Sequence, residues 1–297
     1  MNPKITFIGG THGDELVGVE VIKKLENYLT DKKVRGEINL LIANPLAVKE
    51  GKRFIDQDLN RLFSIDLIDN LKEKKNLNYE QERVTQIAPL LQNQDFVFDI
   101  HSTIKKGKSF VLIFDLEKQL DLARFFKPDF LVSTEKIFGR KRGRSEIFTI
   151  DRYVAYHGGT ALTIETGWKD DLGKVDQVFN SCLAALSHLG VIDFDHDANK
   201  GSISQAPLIE IYEEKIIERE DFSWTKNYQN FSHLKKGETM AHAGGKPITA
   251  SRDSLIIFPK AKPDVNGRIC LLGKKETIFN SNPGPIQVPR QKIDIIL

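Results

Sequence analysis

The chain has 297 residues, longer than one average domain and enough for one large or two unequal ones. Hydrophobic residues make up 40% and charged residues 28%, an ordinary globular balance, and 43 Lys+Arg against 41 Asp+Glu leave a net charge of +2. That balance argues against nucleic acid or an anionic membrane as the main partner, and the two cysteines, Cys182 and Cys270, form neither a disulfide framework nor a metal-type spacing.

From the N-terminus, Met1-Asn2-Pro3-Lys4 leads into the apolar run Ile5–Ile8, too short for the apolar region of a signal peptide. The longest aliphatic and aromatic run, Phe110–Phe114, is far short of a membrane span. A soluble, cytoplasmic chain with reduced thiols is expected. Ile5–Ile8 predicts a buried strand ending in Gly9-Gly10. Val17, Val21, Leu25, Tyr28 and Leu29 then share one face of a helix. Ile38–Ala43 is the next strand, stopped by Asn44-Pro45. Asn78–Leu91 has helical character, with Pro89 expected to kink it or end it early. Phe96–Ile100, Phe110–Phe114, Phe130–Ser133 and Ala161–Thr166 are strand candidates. Val175, Val178, Phe179, Cys182, Leu186 and Leu189 line a further helix, stopped by Gly190. Strands alternating with helices predict an α/β fold, a mixed and mostly parallel sheet flanked by helices.

Composition shifts after about Asp193. The polar stretch Asp195–Ser202 has the character of a linker. Beyond it, short runs (Leu208–Tyr212, Lys215–Ile217, Ser254–Phe258, Ile269–Leu272, Ile293–Leu297) alternate with Lys236-Gly237, Gly244–Pro247 and Pro283-Gly284-Pro285. They predict a smaller, mostly antiparallel β domain. The expected division is residues 1–195 and 203–297.

Four polar clusters carry chemistry. Gly9-Gly10-Thr11-His12-Gly13-Asp14-Glu15 lies between a strand and a helix, where ligands bind in doubly wound sheets. His12 and Glu15, three residues apart, can converge on a metal. On its own this loop equally fits an acid favouring a helix N-terminus beside a surface histidine. Asp99-Ile100-His101-Ser102-Thr103 breaks the tie, because a second strand-end histidine completes the two-histidine, one-carboxylate set of catalytic zinc sites. Asp99 can orient a ligand from behind. Thr163-Ile164-Glu165-Thr166-Gly167 ends another strand. A glutamate in a partly dry cleft can take a proton from metal-activated water and return it to a leaving amine. Arg53-Phe54-Ile55-Asp56-Gln57-Asp58-Leu59-Asn60-Arg61 places two arginines and an asparagine in a loop after a strand. Arginine forks suit carboxylates and developing oxyanions, although a solvated loop with one Asp–Arg pair has the same composition.

The order His12-x-x-Glu15, Arg53, Asn60-Arg61, His101, Glu165 resembles the zinc carboxypeptidase superfamily, and within it the aspartoacylase and succinylglutamate desuccinylase family. "GTHGDELVG", "RFIDQDLNRLF" and "DIHST" are similar to that family's motifs nearly residue by residue, and the likeness covers most of residues 4–168. The resemblance implies one zinc ion per chain held by His12, Glu15 and His101, with Glu165 as acid and base. It implies that Arg53 polarises the scissile carbonyl, that Asn60 and Arg61 hold a substrate carboxylate, and that Asp58 supports from behind. Arg152 is the nearest candidate for the additional substrate arginine of aspartoacylases. The tyrosine that their second domain sends into the site has no match around Ile269–Leu272, which points away from N-acetylaspartate as the best substrate.

The expected activity is hydrolysis of the amide bond of a small N-acyl amino acid. The rivals are a zinc carboxypeptidase acting on short peptides and a zinc-dependent binding or regulatory protein. The family's β domain narrows the cleft and so disfavours long chains. His157, His188 and His196 are expected to be loop, helix-end and linker residues. Gly139–Arg144 is expected to be a solvated basic loop, and both cysteines buried thiols. Oligomeric state, acyl group and amino acid are not legible in the sequence.

Overall fold

A computed structural model describes residues 3–139, 148–194, 204–218, 220–261, 263 and 267–276. The expected linker Asp195–Ser202, most of the basic loop Gly139–Arg144, His196 and the strand candidate Ile293–Leu297 lie outside the described residues.

The first strand, β1 (Lys4–Gly9), is followed by α1 (Leu16–Leu29), β2 (Glu37–Ile42), α2 (Pro45–Glu50), α3 (Ile65–Lys72) and α4 (Tyr79–Leu91). Then come β3 (Phe96–Thr103), β4 (Phe110–Ile113), α5 (Leu116–Phe125), β5 (Phe130–Ser133), α6 (Glu135–Phe138), α7 (Ile150–Tyr156), β6 (Thr160–Trp168) and α8 (Val175–His188). The C-terminal third holds β7 (Leu208–Ile216), β8 (Ser223–Trp224), β9 (Ser232–Leu234), β10 (Thr239–Ala243), β11 (Lys246–Thr249), β12 (Ser254–Ile257) and β13 (Arg268–Glu276).

Among the described residues, ten strands form one sheet in the order β2-β1-β3-β6-β4-β5-β7-β13-β12-β9, and β11-β10-β8 form a smaller sheet. The β2–β1, β1–β3 and β3–β6 pairs are parallel, as short strands joined through helices should be. β4 runs antiparallel to β6, then β5 and β7 continue parallel to β4. The β7–β13, β13–β12 and β12–β9 pairs are antiparallel. Four of the C-terminal strands, β7, β13, β12 and β9, therefore extend the large sheet through the β5–β7 pair, while β8, β10 and β11 form the smaller antiparallel sheet.

Alternating side chains send the strands into two cores. Ile5 and Phe7, Phe98 and Ile100, Leu162 and Ile164 face α1, α5 and α8, where Val21, Leu25, Cys182 and Leu186 close the layer. Ile8, Val97 and Ala161 face the opposite layer of Leu59, Phe63, Val84, Ile87 and Tyr153. That second face carries Asp99, His101, Thr163 and Glu165 by the same period of two. Its apolar filling gives way to polar side chains toward the carboxyl ends of β3 and β6.

Local expectations met tertiary context at two points. Pro89 lies inside α4, which nevertheless runs to Leu91, because a proline in the last turn removes one hydrogen bond that a helix about to end hardly needs. The two runs Leu208–Tyr212 and Lys215–Ile217 are largely one strand, β7, bent by register shifts against β13.

Close approach explains two glycines. A Cβ on Gly13 would lie 2.1 Å from the backbone of Ala47, so the His12 loop can rest on α2 only without a side chain there. A Cβ on Gly18, in α1, would lie 2.5 Å from the carbonyl oxygen of Ile100 in β3. Gly18→Ala gains about 1 kcal/mol of helix propensity but overpacks against backbone that cannot turn aside. A net loss of roughly 1–3 kcal/mol in denaturant unfolding is expected; a variant as stable as the parent would show that α1 can slide off β3.

Candidate active site

Glu15 sits where the chain turns into α1 and is buried, with His12 facing it across the loop. Its Oε1 faces His12 Nδ1 at 2.9 Å and accepts from Arg53 Nη1 at 3.0 Å. Its Oε2 faces His101 Nδ1 at 3.0 Å and accepts from the backbone N–H of Ser102 at 2.9 Å. His12, Glu15 and His101 each offer one ligand atom, and these atoms lie within 4.8 Å of one another. The imidazole rings stand 5.0 Å apart between centroids.

Each histidine turns its other nitrogen to a carboxylate. His101 Nε2–H donates to Asp99 Oδ2 at 2.8 Å, and Thr11 Oγ1 donates to Asp99 Oδ1 at 2.9 Å. His12 Nε2 lies 3.0 Å from Asp58 Oδ1 and 2.9 Å from Arg53 Nη2. A guanidinium only donates, so the two contacts compete for one nitrogen. The Asp58 carboxylate is the partner that fits a protonated Nε2, and Arg53 Nη2 then finds Asp58 Oδ2 at 3.5 Å. This leaves Nδ1 of both rings directed at Glu15. His12 Nδ1 is buried without a hydrogen bond of its own.

The charges ask for a cation. Burial disfavours ionised Glu15, yet the two histidines hold its carboxyl far below the usual range. Burial also opposes a proton on His12 and on His101, but Asp58 and Glu15 raise the first and Asp99 and Glu15 raise the second well above ordinary values. Three carboxylates thus pull positive charge into a pocket answered on the protein's side by Arg53. Two imidazole nitrogens and one carboxylate match the donor set of a transition-metal cage, with outer carboxylates fixing both tautomers.

Glu165 pairs with His101 in the β3–β6 ladder, so both side chains leave the sheet on one face. Its Oε2 is buried without a hydrogen-bond partner. Burial pushes its carboxyl up to about 7, reinforced by the Glu15 charge and opposed by His101, His12 and Arg53. A carboxyl of that kind exchanges protons near neutrality.

Asn60 and Arg61 form a single 3-10 turn, Leu59–Arg61, capped by Asp58, whose Oδ1 accepts from Asn60 N at 3.0 Å. Asn60 is buried, and its Oδ1 accepts from Ile150 N at 3.0 Å, which ties the turn to the start of α7. Arg61 is exposed, with Nη1 on the Asn60 carbonyl at 2.7 Å. Arg152, on α7, donates to the Gly139 carbonyl at 2.9 Å and to Thr134 Oγ1 at 3.0 Å, with its guanidinium 4.1 Å over the Phe114 ring. The expected loop Arg53–Arg61 follows α2 rather than a strand directly. His157 is exposed against Tyr153 and Tyr156, and His188 packs on Phe125 at the end of α8.

Two neighbours escaped the motif reading. Arg268, at the start of β13, has a buried, unpartnered Nε and lies near enough to Arg61 for the two charges to repel. Its one ion-pair partner among the described residues is Glu214, at 3.6 Å. Glu80, in α4, is fully buried and binds the loop between Arg53 and Asp58. No local pattern marks either one, because each acts across a large sequence separation.

The geometry defines a class: an α/β protein with a candidate metal cage at the strand ends and a desolvated carboxylate beside it. Residues 1–174 match the model of the succinylglutamate desuccinylase/aspartoacylase catalytic domain, and the chain belongs to that family. It is 26% identical to the succinylglutamate desuccinylase of Shewanella sp. (strain W3-18-1) over 290 residues, 89% of this chain and 80% of that protein. A probable aspartoacylase of Trichodesmium erythraeum (strain IMS101) is 34% identical over 117 residues, 37% of this chain and 39% of the relative, so this match spans well under half of the relative's length. The X-ray structure of a Vibrio parahaemolyticus succinylglutamate desuccinylase superposes with a TM-score of 0.71 at 19% identity, over 94% of this chain and 84% of that one, and so shares the fold. Among the described residues no helix is long and apolar enough to cross a membrane.

Asp99 orients His101 and should therefore tune metal affinity. Asp99→Asn is expected to weaken zinc binding about 10–100-fold in competition with a chelator. Parental affinity in that variant would reduce Asp99 to a packing residue.

Proposed function

We propose that the chain is a zinc-dependent amidohydrolase that cleaves the amide bond of an N-acyl amino acid, releasing a carboxylic acid and the free amino acid. The observation that carries this reading is Glu165: a carboxyl whose buried Oε2 has no hydrogen-bond partner, in register with His101 beside the His12–Glu15–His101 set. The family supports the choice of substrate, since its members carry the names succinylglutamate desuccinylase and aspartoacylase.

Three protein ligands of this kind suit a catalytic zinc with an open position. When bound, zinc supplies Lewis-acid polarisation of a carbonyl and acidifies water toward a pKa of about 7. The rest falls to the chain's own side chains. Glu165, with its carboxyl up to about 7, accepts the proton of the attacking water and hands it to the departing amine nitrogen. Arg53 is braced by Glu15 and Asp58, so its guanidinium meets the charge that develops on the carbonyl oxygen already oriented. Asn60, with its Oδ1 fixed by Ile150, keeps its NH2 available as a donor, and Arg61 next to it supplies the fork for a substrate carboxylate. Arg268 beside Arg61 raises the preference of that corner for an anion.

Glu165→Gln is expected to keep its zinc while losing on the order of 10²-fold or more in turnover. Near-parental hydrolysis by this variant would remove Glu165 from proton transfer. A panel of N-acetyl, N-succinyl and N-formyl amino acids, assayed for free amine, tests the reaction itself. Within that panel, each acyl amino acid should be hydrolysed well and its α-carboxamide poorly. Arg61→Lys should mainly raise KM, because an ammonium cannot reproduce a two-pronged fork. Equal kcat/KM for acid and carboxamide would show that Arg61 does not read a carboxylate. Turnover confined to unacylated peptides would instead favour a carboxypeptidase.

A further inference from the structure

Between Arg53 and Asp58, three consecutive backbone N–H groups converge on one side chain. Ile55 N donates to Glu80 Oε1 at 2.7 Å, Asp56 N to Oε2 at 2.9 Å and Gln57 N to Oε2 at 3.3 Å. Asn44 Nδ2 adds a fourth bond to Oε1 at 3.1 Å. Glu80 is 0% exposed, as is Asn44. The carboxylate sits in the first turn of α4, where the helix dipole favours a negative charge. The start of α4 grips the same loop twice more: Tyr79 N donates to Asp56 Oδ2 at 2.9 Å, and Gln57 Nε2 donates to the capping Asn78 Oδ1 at 3.0 Å.

This buried acid touches neither the histidines nor Glu15. Its bonds go to the backbone that carries Arg53 on one side and Asp58 on the other. Those two residues meet Glu15 Oε1 and His12 Nε2. A neutral amide of the same shape cannot replace it. In Glu80→Gln, whichever way the new amide turned, its NH2 would oppose a backbone N–H donor.

We propose that Glu80 is a positioning residue of the candidate site, an internal anchor that holds residues 55–57 so that Arg53 and Asp58 reach Glu15 and His12 in a fixed register. It acts only through those side chains, and its kinetic consequence rests on the amidohydrolase reading.

Glu80→Gln tests this in two independent arms. In amide hydrogen exchange, the N–H groups of Ile55, Asp56 and Gln57 should be protected in the parent and exposed in the variant, while β3 and α1 keep their protection. In kinetics, kcat should fall about 10²-fold with KM nearly unchanged, since a displacement near 1 Å is enough for such a loss. Combined with Arg53→Ala, the total loss should fall short of the product of the single losses by roughly 5-fold or more, because both changes remove the same contact. Unchanged protection at 55–57 would overturn the anchor, and fully multiplicative losses would overturn its action through Arg53. Glu80→Asp keeps the charge, is one carbon too short to reach all three N–H groups, and is read by the same assays if Glu80→Gln does not fold. A parent that hydrolyses no acyl amino acid would count against the amidohydrolase reading, while the exchange arm would still decide the anchor.

Discussion

The candidate site is organised around one buried charge, the carboxylate of Glu15. A carboxylate removed from water is costly unless every lone pair is answered. Here the answers come from His12 before α1, from His101 and the Ser102 N–H on β3, and from Arg53 in the loop after α2. Satisfying Glu15 therefore fixes the spacing of β1, β3 and that loop at once. A missing partner would leave a buried charge uncompensated, so the arrangement is cooperative.

Around that centre, the support is itself made of carboxylates. Asp99 and Asp58 orient the two imidazoles, Thr11 orients Asp99, and Glu80 holds the loop that brings Asp58 and Arg53. Glu80, despite its burial, is held below the usual carboxylate range by three backbone N–H groups and Asn44. Glu165 is the exception. Burial without a donor on Oε2 raises its carboxyl instead, in contrast to Glu15, Asp58 and Glu80, whose carboxyls are all lowered.

The C-terminal strands reach the site by extending the sheet. β7 pairs with β5, β13 pairs with β7, and Arg268 at the start of β13 comes close to Arg61. Two guanidinium groups in proximity destabilise each other unless an anion lies between them or solvent screens them. The antiparallel half of the molecule thus influences the charge of a corner formed by the N-terminal half.

Local pattern was enough to place β1, α1, β2, β3, β6 and α8. A period of two or of 3.6 and the turn residues that end each run are written in consecutive residues. It also singled out His12, Glu15 and His101 as a possible metal set, since polar residues that close or follow short apolar strands sit at strand ends whatever the rest of the chain does. The direction of β4 and the joining of β7 to β5 were not legible, because strand pairing is chosen by partners far away in sequence. The same holds for the convergence of three N–H groups on Glu80 and for the commitment of Arg152 to Thr134, Gly139 and Phe114. A side chain's identity says which bonds it can make. Only the folded neighbourhood, through burial and competing partners, decides which of them it does make. That is why the sequence by itself determined which residues could serve as ligands, and the tertiary structure decided what holds them in place.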